Sequence, residues 1–490
     1  MCSQVPNELW IEILGTLSPD TLKDISVTNR TFCRTIRRLL FAHFDFHPYG
    51  VGPHSTPILP SDVEVTRHLE RLDFWTSDEI APFVRSCTIT PMRSTGPAYP
   101  FDTVKASRSK KPAPYVLLEP FFERITCFTG LRRLKARGAH FTPVALANLR
   151  RMPSLTHLHI DHFEITAVES MDFILQPLSL TRFSISHDVT REDGLEHWVP
   201  LLNPEHLREL NIMCNLRVLG ESTDVIPIFP RLHKLSLLLN LATMSRNLAT
   251  MSKFPGVRVV TIEGWGEVDT WPDLRMQQPD SFPLLAEYIG TYKILPLFFC
   301  RATLTRITIT DATPEILIAQ LQGLRTPLNI TSVTAYFHRF DGNFGSFDTA
   351  VLGTLLDVLP RLTEFCLRIT LELEDDDLED DANPVATSFF EALADTPGLP
   401  PTLQHLALSW EFEYHDLESE PTVKGPPDLP QLRDALVERC PGLQSLWFDG
   451  HDFLFQWRKA TDGTCVEAST DNAADVASMR NDFAKWWEMR

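Results

Sequence analysis

The sequence predicts an α/β chain: three short helices, then a long irregular solenoid of parallel strands and returning helices. Three observations predict it. Apolar residues at helical spacing crowd into Val5–Phe41, a six-residue phrase close to Leu-x-x-Leu-x-Ile then recurs to the far end, and a proline stands two places before several copies.

The helical stretch comes first. Pro6 suits a first helical turn, and Leu9, Ile13 and Leu14 fall on one side of the helix it opens. Leu17 closes that helix, and Ser18-Pro19-Asp20 breaks the chain and caps the next. Leu22, Ile25, Phe32 and Ile36 carry the helical rhythm on to Leu39 and Leu40. Helices this short cannot bury all their apolar surface among themselves, so part of it either docks a partner or packs on the rest of the chain.

Beyond them, His43 to Pro60 is rich in Pro, Gly and His and reads as a linker, with residues 46–82 supplying it and a connecting helix. The recurring phrase follows over residues 83–455: Leu155–Ile160, Leu180–Ile185, Leu207–Ile212, Leu232–Leu237, Val257–Ile262, Leu304–Ile309, Leu362–Leu367, Leu403–Leu408 and Leu443–Phe448. Weaker copies stand at Val84–Ile89, Leu131–Ala136 and Ile330–Ala335. From Leu131 to Val257 the copies start 24 to 27 residues apart, within the range of leucine-rich repeats, in which each unit gives a short strand and a returning helix. Later starts lie 26 to 47 apart, which leaves room for insertions or a missed unit. About eleven or twelve units follow, stacked by right-handed parallel crossovers.

Proline sets the phase. Met152-Pro-Ser-Leu, Phe229-Pro-Arg-Leu, Phe254-Pro-Gly-Val, Leu359-Pro-Arg-Leu and Cys440-Pro-Gly-Leu each place it two residues before a strand, where it stops a helix and extends the preceding backbone. Thr142-Pro143 and Thr313-Pro314 start helices between strands. Three segments interrupt or end the pattern: a basic Ser/Pro-rich loop at 94–114, an acidic insertion at 372–384, and a tail at 456–490. In that tail Val476, Met479, Phe483, Trp486 and Trp487 form a helical stripe suited to covering the open end of the solenoid.

The first stretch resembles an F-box, on Pro6, Glu8, Leu9, Ile13, Leu14, Leu17, Leu22, Val27, Arg30 and Phe32, with Val5 where Leu is usual and Phe32 where Trp is common. Residues 1–45 would be that helical domain. An F-box followed by leucine-rich-like repeats is similar to the substrate receptors of Skp–cullin–F-box ubiquitin ligases, and the irregular repeats look like the expanded F-box families of filamentous fungi. The resemblance implies that Pro6, Leu9, Ile13, Leu14, Leu17, Leu22 and Val27 supply the contacts to a Skp-type adaptor, and through it a cullin-RING ligase, some of them serving the module's own core instead. It implies a target protein held on the repeats and no catalysis by the chain itself. A repeat scaffold unconnected with ubiquitination is the alternative.

In each strand the residues between the phrase's apolar positions face outward. His157, His159, Arg182, Glu209, Lys234, Arg306 and Trp447 are the candidates for target contact in a row of mixed polarity. His157-Leu-His-Ile-Asp-His162 is the one metal-like cluster, and without further ligands fixed nearby it predicts no metal and no cofactor. No phosphate-binding loop, dinucleotide fingerprint, nucleophile elbow or zinc-protease motif occurs, so no enzyme is expected. A net charge of −19 argues against nucleic acid and against anionic membranes as partners. Nine scattered cysteines without a Cys-x-x-Cys pair, and an N-terminus without a secretory pattern, lead us to expect a cytoplasmic or nuclear protein.

Overall fold

The phrase and its proline become a turn and a strand. In Met152-Pro153-Ser154-Leu155 the Leu155 N–H donates to the Met152 carbonyl at 3.2 Å, closing a β-turn with proline in its second place. Leu232, Val257, Leu362 and Leu443 donate in the same way to Phe229, Phe254, Leu359 and Cys440, at 3.4, 3.3, 3.0 and 2.9 Å.

These turns are seen in a computed structural model that describes residues 7–28, 30–51, 57–58, 60–93, 115–165, 177–186, 198–213, 226–240, 250–265, 282–299, 301–322, 329–338, 349–373, 399–414, 428–450, 453–460, 463–470 and 472–488. The chain divides into two units, Met1–Val257 with Trp265–Val268, and Arg258–Gly264 with Asp269–Arg490.

The first unit opens with helices α1 (Asn7–Gly15), α2 (Pro19–Ser26) and α3 (Arg30–Leu40). Ser18 caps α2, its side chain accepting the Thr21 N–H at 3.2 Å. Leu14, Leu22 and Ile36 form a small core of their own, edged by Leu17, Ile25, Phe32, Leu39 and Leu40. Seven strands follow in one parallel order: His43–Phe46, Ser86–Ile89, Arg133–Arg137, His157–Asp161, Arg182–Ser186, Glu209–Met213 and Lys234–Asn240. Their inward residues, such as Leu158 and Ile160, Phe183 and Ile185, are buried in a core filled out by Phe44, Phe121, Phe141 and Trp198.

The second unit repeats the plan in Val259–Trp265, Glu287–Gly290, Arg306–Ile309, Ser332–His338, Glu364–Leu373, His405–Tyr414 and Ser445–Gly450, all parallel. Two antiparallel strands, Leu454–Lys459 and Cys465–Thr470, extend it, and the helix Ala473–Glu488 ends it.

One bond pattern recurs between neighbouring strands. The carbonyl just ahead of each strand takes two N–H groups from the next repeat: Arg132 O accepts Thr156 N at 3.0 Å and His157 N at 2.9 Å, and Thr331 O accepts Thr363 N at 2.8 Å and Glu364 N at 3.0 Å. A threonine hydroxyl adds a third donor at several junctions, as from Thr156 to Arg132 O at 3.1 Å and from Thr363 to Thr331 O at 3.0 Å.

The structure corrects the expected boundaries. His43–Phe46 is the first sheet strand rather than linker, and it crosses the boundary expected at residue 45. Glu287–Gly290 is a unit the phrase did not reveal, because Tyr288 and Gly290 stand where leucine and isoleucine recur; its turn, Phe282-Pro-Leu-Leu285, nonetheless follows the proline rule at 3.1 Å. Among the described residues the two units show fourteen parallel strands, where eleven or twelve units were expected. The tail expected from residue 456 begins inside a strand, Leu454–Lys459. The basic loop at 94–114 and most of the acidic insertion lie outside the described residues, while Glu372 and Leu373 end a ten-residue strand.

Two glycines in equivalent turns separate a backbone clash from ordinary packing. A Cβ on Gly256 would meet the Pro230 carbonyl oxygen at 2.3 Å, whereas one on Gly442 would lie 3.4 Å from the Pro401 oxygen. Gly256→Ala is therefore expected to cost roughly 1–3 kcal/mol by forcing backbone to move, and Gly442→Ala less than about 0.5 kcal/mol. Chemical denaturation of both variants measures this, and equal losses would contradict it.

Candidate functional site

A strand period of two and an unshifted register place outward residues in rows across each sheet. In the first unit one row reads Ser86, Arg133, His157, Arg182, Glu209, Lys234, and the row beside it reads Thr88, Lys135, His159, Ser184, Asn211, Ser236. These two rows line a single open groove of about 500 Å³. It brings together five of the candidate contact residues: His157, His159, Arg182, Glu209 and Lys234. Arg133 and Lys135 join them, although the sequence reading passed them over. They are the outward positions of the weak copy Leu131–Ala136, and applying the same alternation there finds both.

The groove is mixed in polarity, as expected, but its charge is one-sided. Four lining side chains are cationic and one, Glu209, is anionic. Arg182 Nη2 pairs with Glu209 Oε1 at 3.1 Å, while Arg133, Lys135 and Lys234 are exposed and have no acidic partner among the described residues. Nearby Asp161 is already engaged, by Arg137 Nε at 3.3 Å and the Ser186 hydroxyl at 2.7 Å. Burial holds the His157 imidazole below the usual histidine range, assisted by Arg182 and Arg133 and opposed by Glu209. Burial does the same to His159, assisted by Lys135 and opposed by Asp161. The metal-like cluster holds no metal-binding set: no three His, Cys, Asp or Glu side chains converge among the described residues.

The equivalent face of the second unit is covered. Cys366, Ala407 and Trp447 lie in its second row, and the helix Ala473–Glu488 packs Val476 and Phe483 on them, with Met479 and Trp487 alongside. Trp447 stacks on Phe483 with centroids 4.3 Å apart, and the Trp487 Nε1–H donates to Thr334 Oγ1 at 3.2 Å. Arg480 grips Asp449 with two bonds, at 2.6 and 2.5 Å. Trp447 is thus 3% exposed and is removed from the contact candidates. The terminal helix covers the outward strand face, not the open end. Burial also pushes the Cys366 thiol up to about 11, despite the Arg368 cation beside it. Arg306 lies in the neighbouring row, ion-paired to Glu364 at 3.5 Å.

The N-terminal helices sort the remaining candidates. Leu14 and Leu22, 2% and 6% exposed, belong to the module's own core and cannot touch a partner directly. Leu17 is half-buried at the edge of that core. Ile13 and Val27 face solvent at 49% and 84% exposure. Pro6 and the side chain of Leu9 lie outside the described residues.

No family model matches the chain, and no curated protein does. Among solved structures it is similar to the leucine-rich repeat-containing protein LegL7 from Legionella pneumophila (13% identity over 55% of this chain and 93% of that one, TM-score 0.29). It is also similar to an internalin, InlF, from Listeria monocytogenes (16% identity, 61% and 83%, TM-score 0.25). Likenesses this distant carry no argument, so the leucine-rich-repeat-like reading stands on the parallel register itself. Among the described residues no helix is long and apolar enough to cross a membrane.

Two outcomes follow from this geometry. Arg480→Ala leaves Asp449 buried without its cation, at a cost of about 1–3 kcal/mol, and should speed thiol labelling of Cys366 as the helix loosens; unchanged labelling would count against the cover. The two groove histidines have lowered folded-state pKa values, so the unfolded chain takes up protons first as pH falls. Their stability contribution is complete above about pH 6.5 and declines below it. The melting temperature should therefore fall from pH 7.5 to 5.5, less steeply in His157→Asn with His159→Asn; an unchanged slope in calorimetry would refute it.

Proposed function

We propose that the chain is the substrate-recognition subunit of a Skp–cullin–F-box type ubiquitin ligase. The N-terminal helices dock a Skp-type adaptor, and through it a cullin-RING ligase, and the open strand face of the first unit holds a target protein. One observation carries this reading. Leu14, Leu22 and Ile36 satisfy the module internally, which leaves Ile13 and Val27 as exposed apolar side chains on a helical surface. Apolar side chains displayed on a helical module that already has its own core suit docking onto another protein.

The chain makes no bond in this role. It raises the local concentration of a target lysine and orients it towards a ubiquitin-conjugating enzyme. A protein-interaction scaffold with no link to ubiquitination is the second reading, favoured by the groove, whose polar rows need no adaptor in order to bind a protein.

Capture on an immobilised Skp-type adaptor separates the two. The wild-type chain should be retained, and Ile13→Asp with Val27→Asp should reduce retention at least about tenfold, a loss of roughly 1.4 kcal/mol or more. Both positions are exposed, so the melting temperature should not change. Retention of the double variant at the wild-type level, or no retention of the wild type, would leave the scaffold reading.

A further inference from the structure

The groove of the first unit carries an excess of cations on a chain whose net charge is −19. We propose that it binds an extended segment of a partner protein with acidic side chains at every third residue. This rests on the reading that the groove holds a target protein, and it names that target's chemistry.

Spacing and charge lead to this class. Arg133, Arg182 and Lys234 share one row, each two strands from the next. Strands lie about 4.8 Å apart, so the three cations stand at intervals of about 10 Å. A polyproline II segment has three residues per turn and rises about 3.1 Å per residue, so every third side chain returns to one face after about 9 Å. Acidic groups in that arrangement meet the cations one for one. Arg and Lys pair with carboxylates through charge-assisted hydrogen bonds. A β-strand segment fits less well, because its side chains repeat on one face every second residue, about 7 Å apart.

Two details of the groove agree. Glu209 engages Arg182, so an arriving carboxylate competes for that guanidinium while Arg133 and Lys234 stand free of acidic partners among the described residues. The histidines between and beside the cations stay neutral near pH 7 and leave room for the segment without adding charge.

Fluorescence anisotropy on the full chain tests this, using a labelled peptide of four Glu-Pro-Pro repeats. The peptide should bind, more weakly as salt rises. Four Lys-Pro-Pro repeats should not bind, and a peptide of equal charge with contiguous glutamates should bind several-fold more weakly. Arg133→Glu with Lys234→Glu should weaken binding at least about tenfold, Glu209→Gln should tighten it, and Arg67→Glu, on the helix Asp62–Trp75, should change nothing. Circular dichroism confirms that each variant is folded. No binding of the acidic peptide, no effect of the double reversal, equal binding of the contiguous peptide, or tighter binding of a twelve-base single-stranded DNA would overturn the proposal. Adaptor capture measured on the wild-type chain separates the two readings. No binding of the acidic peptide with capture present defeats the groove proposal alone, and no capture with peptide binding present defeats only the ligase reading.

Discussion

Everything displayed on the two strand faces depends on the doubly accepting carbonyl ahead of each strand. Ala42, Arg85, Arg132, Thr156, Thr181 and Arg208 play this part in the first unit, and Arg258, Ala286, Thr305, Thr331, Thr363 and Gln404 in the second. Two N–H donors on one oxygen fix where the next strand begins. A slip of one residue would break both bonds and turn every buried leucine outward. Buried backbone groups left without partners are costly, so the junction holds the register even where side chains vary. That tolerance is visible in Glu287–Gly290, which keeps the junction bonds although tyrosine and glycine replace the usual apolar pair.

Fixed register turns a one-dimensional pattern into chemistry. Residues 24 to 27 apart in sequence become neighbours in a row, which is how Arg133, Arg182 and Lys234 come to face one groove. The second unit builds rows by the same rule and then covers part of them with its own terminal helix. Cys366, Ala407 and Trp447 form an apolar strip suited to a helix, and Phe483 and Trp487 supply its apolar stripe. The strip in the first unit is Lys135, His159, Ser184 and Asn211, which offers an apolar helix nothing. Outward side chains thus decide which face the chain's own terminal helix can close.

Much of this architecture could be read from the residues, and the exceptions have physical causes. Leu-x-x-Leu-x-Ile and the preceding proline mark strands because burial demands the leucines and the turn favours the proline. His43–Phe46 escaped because Phe41, Phe44 and Phe46 stand where the phrase has leucine, leucine and isoleucine, next to a stretch rich in Pro, Gly and His. The terminal helix was legible as amphipathic, but its seat was not, since periodicity names a helix's buried face and not what lies under it. The cationic groove was half legible. Five of its residues fall on strong copies of the phrase, while Arg133 and Lys135 fall on a weak one, in which Ala136 stands where isoleucine recurs. In the N-terminal helices, spacing placed Ile13 and Leu14 on one side, and only the three-dimensional packing shows that they part ways.

The charge distribution constrains how such a groove can act. Residues 1–257, which hold the groove, carry 28 Lys and Arg against 26 Asp and Glu, so this part of the chain is nearly neutral and steers an acidic segment little at long range. At physiological ionic strength charges beyond about 8 Å are screened, whereas cations in direct contact with a carboxylate are screened far less. In the proposed complex, selection would therefore come from close fit. A segment in register with Arg133, Arg182 and Lys234 gains contacts that one with its charges at another spacing does not, and that difference alone sets the discrimination between them.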